Sequence, residues 1–160
     1  MAVDMFLKLG DIKGESQDDK HKDEIDVLSW SWGMSQSGTT HLGSGGGAGK
    51  VSVHDLQLTH VLDKASPNLA LACCTGKHYD QALLTVRKAG DKPVEYLKIT
   101  LEEVLVTSVT MNGHGSEDRL TENVTLNFAK FKQEYVPQKP DGSGDAAIEG
   151  TFHIAKNLKM

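Results

Sequence analysis

The chain has 160 residues and a formal net charge of -5. That length is read as one domain, residues 1–160, with enough interior for a real core. The acidic balance argues against nucleic-acid binding, which needs a basic stripe to release counterions. No run approaches the ~18–20 apolar residues of a membrane span, so no membrane insertion is expected.

The N-terminal stretch MAVDMFLKLGDIKGES has no basic leading region and no long apolar core, and Asp4 comes early. It does not read as a signal peptide. The expectation is a protein made in the cytoplasm which, if it leaves the cell, leaves folded and without a cleaved signal. The cysteines, Cys73 and Cys74, are adjacent. At ~3.6 residues per helical turn their side chains point about 100° apart. Reduced, buried thiols are expected, since free cysteine packs as a small hydrophobe and a reducing compartment keeps it so.

Asp4 to Leu9 alternates weakly and predicts a first strand. Gly10 to Glu24 mixes carboxylates with Lys20, His21 and Lys22; interleaved charges read as a solvated loop, not a metal site. Ile25 to Met34 predicts a second strand in which Ile25 and Val27 share one face. Leu28, Trp30, Trp32 and Met34 share the other, and one such slip suggests a β-bulge. Ser29, Ser31, Gly33 and Ser35 lie opposite the tryptophans and make a small polar face.

Ser35 to Gly49 is a glycine-rich arm with nothing large to bury except Leu42. Lys50 to Leu62 predicts a third strand with a phase slip near His54. Ser66 to Gly76 predicts the one helix, with Ser66 as N-cap, Pro67 in the first turn and Gly76 just past the end. Its interior, Leu69 to Cys74, is apolar all round. Such a helix has one side for its own core and another for a neighbouring subunit.

His78 to Lys88 predicts a fourth strand, turned at residues 89–92. Val94 to Met111 is the longest β run, with Leu97, Ile99, Leu101, Leu105, Val109 and Met111 in one phase and Val104 and Val106 in the other. Asn112-Gly113 signals a hairpin. Arg119 to Tyr135 returns with Leu120, Val124, Leu126 and Phe128 on one face. After a loop from Pro137 to Gly144, Ala146 to Ala155 predicts a last strand. About seven strands with one helix after the third make an all-β barrel or sandwich.

Chemistry finds little support. Gly49-Lys50 invites a P-loop reading, but Val51 follows the lysine and a strand follows the loop, so neither a magnesium hydroxyl nor a helix N-terminus is present. His54 and His60 stand about 20 Å apart along a strand, too far to share a metal. The cysteines lack a second pair at zinc spacing, no G-x-S-x-G elbow occurs, and Glu102 and Glu103 point to opposite faces. No catalytic residue, cofactor or metal is expected. What remains favours self-association: the apolar helix, the bare arm and the bland polar face.

Several blocks occur together and in order: Ile25-Asp26-Val27-Leu28-Ser29-Trp30-Ser31-Trp32-Gly33, the glycine arm, Ser66-Pro67-Asn68-Leu69, Gly76-Lys77-His78, and Leu120 to Phe128 (LTENVTLNF) with Tyr135 downstream. On these the chain resembles the haemolysin-coregulated protein (Hcp) family, the tube subunit of bacterial type VI secretion systems. The resemblance spans essentially the whole chain and matches least from about Lys139 onward. It implies two sheets closing a β-barrel with one short α-helix on the flank and a long extended Gly-rich loop. It implies a homohexameric ring that stacks into a hollow tube inside a contractile sheath, capped by a spike protein. Sheath contraction drives the tube out, and small effector proteins ride in the lumen. On that footing Ser29, Ser31, Gly33 and Ser35 are the candidate lumen and cargo face, with Ser31 foremost. The candidate subunit-contact arm is Gly38, Thr39, Thr40, His41, Leu42 and Gly43, continuing through Ser44, Gly45, Gly46 and Gly47. The candidate contact residues of the helix are Leu69, Leu71, Cys73 and Cys74. The competing reading is a monomeric lipocalin-like barrel for a small ligand.

Overall fold

The computed structural model describes residues 3–38, 50–90 and 93–160. In chain order the elements are β1 (Val3–Leu9), β2 (Ile25–Asp26), β3 (Ser29–Ser31), β4 (Met34–Ser35), β5 (Ser52–Val53), β6 (Leu56–Val61), α1 (Ser66–Thr75), β7 (His78–Lys88), β8 (Glu95–Asn112), β9 (Thr121–Asn127), β10 (Lys130–Tyr135), β11 (Ile148–His153) and β12 (Leu158–Lys159). The ladders are antiparallel throughout, in one branched sheet and a small β4–β5 ladder.

The main ladder runs in a circuit. β1 pairs β7, β7 pairs β8, β8 pairs β9, β9 pairs β6 and β6 pairs β3. The return from β3 to β1 is made within Ile25–Ser31. Its first half pairs β1, the Val27 amide donates to the Met5 carbonyl (2.9 Å), and the Leu28 amide donates to Thr59 (2.8 Å) on the other side. The slip at Val27–Leu28 is therefore a change of ladder partner, not the expected bulge. Ile25 and Val27 are buried, Trp30 and Trp32 pack half-buried on the core, and Leu28 and Met34 are exposed. Branching from β8, β10, β11 and β12 extend the sheet as a wing. Trp32 fills the junction, its ring 4.9 Å from Phe131 and its Nε1–H donating to the His54 carbonyl at 3.1 Å.

The interior of the circuit is solid. Leu7, Leu9, Leu56, Leu84, Leu101 and Leu126 are all fully buried in one cluster. Two local devices let a long strand serve a closed core. At Glu103 the backbone takes φ 55, the left-handed region that a non-glycine residue rarely adopts. Across it the buried positions pass from Ile99 and Leu101 to Val104 and Val106. Further on, a bulge at Val106–Ser108 shifts the β8–β9 register. The two apolar phases seen in the sequence are thus one core face read through a phase change. The slip near His54 is a break between β5 and β6, and the run from Arg119 to Tyr135 divides at Phe128–Ala129. Leu120 and Ile148, expected inside, are exposed.

Helix α1 ends as expected on Gly76, φ 67, whose amide donates to the Ala72 carbonyl at 3.0 Å. Its start differs. Ala65 holds the cap position, and Ser66 is the first helical residue. The Ser66 hydroxyl turns back to accept the Asp63 amide (3.1 Å), while the Asp63 carboxylate accepts the Ala65 amide (2.8 Å). Ser66, Leu69 and Ala72 are buried, whereas Leu71 is 61% exposed. Cys73 is half-buried and Cys74 exposed, so only one of the two thiols approaches the buried state expected.

The segment 10–24, expected as a solvated loop, is instead drawn against the barrel. Ser16 and His21 are buried. The Ser16 amide donates to the Glu24 carbonyl (3.0 Å), the Asp23 amide to Ser16 (2.9 Å) and the Gly14 amide to Asp23 (2.8 Å). A Cβ on Gly14 would stand 2.6 Å from the Glu24 carbonyl oxygen and 2.8 Å from the Ile25 Cα, so only glycine allows the two backbones to close.

Candidate functional site

The polar face of β3 is the edge of a larger wall. Ladder register places Ser29 beside Thr59, Asn123 and Thr110 in one row, and Ser31 beside Gln57, Thr125 and Ser108 in the next. Between them runs Trp30–Leu58–Val124–Val109, which turns to the core. This is strand alternation carried across β3, β6, β9 and β8: one row in, two rows out. The outer rows hold only hydroxyl and amide side chains. They line an open depression of about 450 Å³.

Hydrogen bonds spend much of this polarity within the wall. The Thr59 hydroxyl donates to Asn123 Oδ1 (2.6 Å), and the Ser108 and Thr125 hydroxyls meet at 2.6 Å. The bulge sets Thr107 beside Ser108, with its hydroxyl 2.7 Å from Thr125 Oγ1 and 2.7 Å from Asp55 Oδ2. Asp55, which also accepts from Asn127 Nδ2 (2.9 Å), is the charge at the rim. Satisfied neutral groups attract a passing polypeptide weakly, because each new contact replaces one already made.

The outer face of β8, β10 and β11 is opposite in character. Lys130 pairs Glu102 (3.3 Å), and Lys132 pairs Glu149 (3.1 Å) and Glu134 (3.6 Å). A depression of similar size, about 430 Å³, lies there, so charge and not volume distinguishes the two faces.

Of the residues singled out by sequence, Ser29 and Ser31 stand in the wall, exposed. Gly33 is half-buried beyond the end of β3, and Ser35 belongs to the separate β4–β5 ladder, paired with Ser52; neither joins the two rows. Leu69 is fully buried in the chain's own core. It has no surface for a neighbour, and the helix's contact candidates contract to Leu71 and Cys74, with Cys73 at their margin. Gly38 is exposed; Thr39 to Gly47 lie outside the described residues. The reading of the sequence missed Gln57, Thr59, Ser108, Thr110, Asn123 and Thr125. The signal was available: between the apolar positions of β6 and β9 the alternate residues are neutral, whereas in β10 they are Lys130, Lys132 and Glu134.

Comparison with known proteins bears on the same span. Residues 6–135 match the family model described as type VI secretion system effector, Hcp. The chain is 61% identical over 161 residues to protein hcp1 of Pseudomonas aeruginosa, covering 99% of both chains. The chain belongs to the Hcp family. Among solved structures, Hcp1 of Salmonella typhimurium is 45% identical with TM-score 0.83, covering 100% of both chains. A type six secretion system protein at 30% identity superposes with TM-score 0.93 over 99% of this chain and 100% of that one. An Hcp chain is a structural, secreted protein of the type VI apparatus. Among the described residues no helix is long and apolar enough to cross a membrane, and no three metal-binding side chains converge.

Proposed function

We propose that this Hcp chain, as the single domain 1–160, is the structural subunit of a type VI secretion tube. Six copies close a ring, rings stack into a hollow tube, and the wall of β3, β6, β9 and β8 lines the lumen. The tube runs inside a contractile sheath behind a spike protein and carries small effector proteins. It is made in the bacterial cytoplasm and is secreted. It catalyses no reaction. The observation that supports this reading is the wall itself: two rows without a charge, in which Thr59 bonds Asn123 and Ser108 bonds Thr125, suit a conduit that must hold cargo and release it. Packing throughout the barrel interior favours this over a lipocalin-like ligand barrel.

The test places a label. Ser31→Cys, in a Cys73→Ser/Cys74→Ser background, is reacted with a small maleimide–gold cluster and imaged by electron microscopy. Gold on the axis of six-fold rings is expected. Gold on the ring's outer rim, or a monodisperse monomer, overturns the proposal.

The arm, with Gly38 at its described edge, is proposed to contact an adjacent subunit. Deleting residues 43–49 is expected to spare the far-ultraviolet circular dichroism and to reduce stacking of rings in micrographs. Unchanged stacking rejects that role.

A further inference from the structure

The segment 10–24 is fastened over the outer face of β1 and β7 by two ties of different chemistry. One is Arg87, which is buried and reaches Asp18 (2.6 Å) and Asp4 (3.1 Å). The hydrogen bond from Arg87 holds the Asp18 carboxyl down at about 2. This tie contributes above the ordinary carboxylate range and is lost only as pH falls through about 2. Across neutral pH it does not change.

The other tie is His21. Its ring stacks on Phe6 at 4.4 Å and 10°, while the Arg87 guanidinium covers Phe6 at 5.1 Å. Nδ1 lies 2.9 Å from Glu24 Oε2 and Nε2 lies 2.7 Å from Glu95 Oε1. Carboxylates only accept, and a neutral imidazole has one N–H. A ring bonded to two carboxylates satisfies both only when both nitrogens carry protons. Glu95 lies outside the segment, at the start of β8, so that bond ties the segment to the barrel.

We propose that residues 10–24 are a proton-dependent strap: His21, doubly protonated between Glu24 and Glu95, holds the segment over Phe6, and loss of one ring proton releases it. The charged groups around the ring are Glu24 and Asp18 of the strap, Asp4 of β1, Asp26 of β2, Arg87 of β7, and Glu95 and Lys98 of β8. Burial pushes Glu95 up, but hydrogen bonds from His21 and Lys98 outweigh it and leave the carboxyl below its usual range. The acceptor outside the strap thus stays ionised. The sign follows from the two contacts: the doubly protonated ring holds the strap, so lowering the pH holds it and raising the pH releases it. Release removes the ring from Phe6 and leaves the Arg87–Asp18 tie in place.

The test is amide hydrogen exchange of the full chain read by mass spectrometry, corrected for the intrinsic pH dependence, between about pH 5 and about pH 8.5. Protection of peptides covering 10–24 is expected to fall roughly tenfold or more, the loss of one charge-assisted hydrogen bond, while β8 and β9 peptides hold. Glu95→Gln should move the fall to lower pH, and His21→Gln should abolish it. A flat wild-type profile, an unmoved Glu95→Gln profile or an undiminished fall in His21→Gln overturns the proposal.

Discussion

Glu122→Ala is expected to cost about 3–5 kcal/mol of folding stability. Glu122 and His60 are ladder partners on β9 and β6, both fully buried, with Glu122 Oε1 2.8 Å from His60 Nε2. Among the described residues, alanine removes the one hydrogen-bond partner of a ring whose other nitrogen, Nδ1, has none within bonding distance; Asp63 Oδ2 is 3.9 Å away. A polar ring then faces the core unpaired, and the space left by the carboxyl adds to the loss. Glu122→Gln keeps the shape and one hydrogen bond, so its cost is expected to be smaller, about 1–3 kcal/mol. Urea unfolding of both variants, of His60→Ala and of the double variant measures this. The double variant should cost less than the sum of the single ones, because the second change removes a group the first has already orphaned. Additive costs, or a Glu122→Ala cost under about 1 kcal/mol, would show that the pair carries no coupled burden.

That pair shows what a sequence does and does not make legible. The strand alternation, the cap at Gly76, the break near His54 and the hairpin after Asn112 are local and were readable in the residues. His60–Glu122 joins positions 62 apart, and no local pattern gives a register. Yet each residue stood in a buried phase, His60 with Leu56 and Leu58, Glu122 with Val124 and Leu126. Two polar residues in apolar phases are a request for a partner. Likewise Phe6, on the face of β1 opposite Leu7 and Leu9, is buried because the strap, tied by Arg87 to Asp18, closes over a face that an isolated strand would leave wet. The left-handed turn at Glu103 had no signal, since glutamate rarely adopts it. The wall was half legible: β3 gave Ser29 and Ser31, but its other strands had to be laid beside it.

Leu69→Ala and Leu71→Asp are expected to separate folding from assembly on one helix. Leu69 is fully buried in the barrel core, and truncating such a side chain costs about 2–5 kcal/mol through lost transfer energy and the cavity left behind. Leu71, two residues on and 61% exposed, lies on the opposite side, where an exposed substitution changes stability by about 0.5 kcal/mol or less. If the outer side of α1 meets a neighbouring subunit, a carboxylate there must be desolvated without a partner, so Leu71→Asp is expected to keep the fold and reduce the assembled fraction. Urea unfolding gives the first quantity and sedimentation velocity the second. Leu69→Ala should shift the unfolding midpoint at unchanged slope. A Leu71→Asp chain that assembles like the wild type would remove α1 from the contact surface. One that unfolds as readily as Leu69→Ala would mean that Leu71 is held by its own domain.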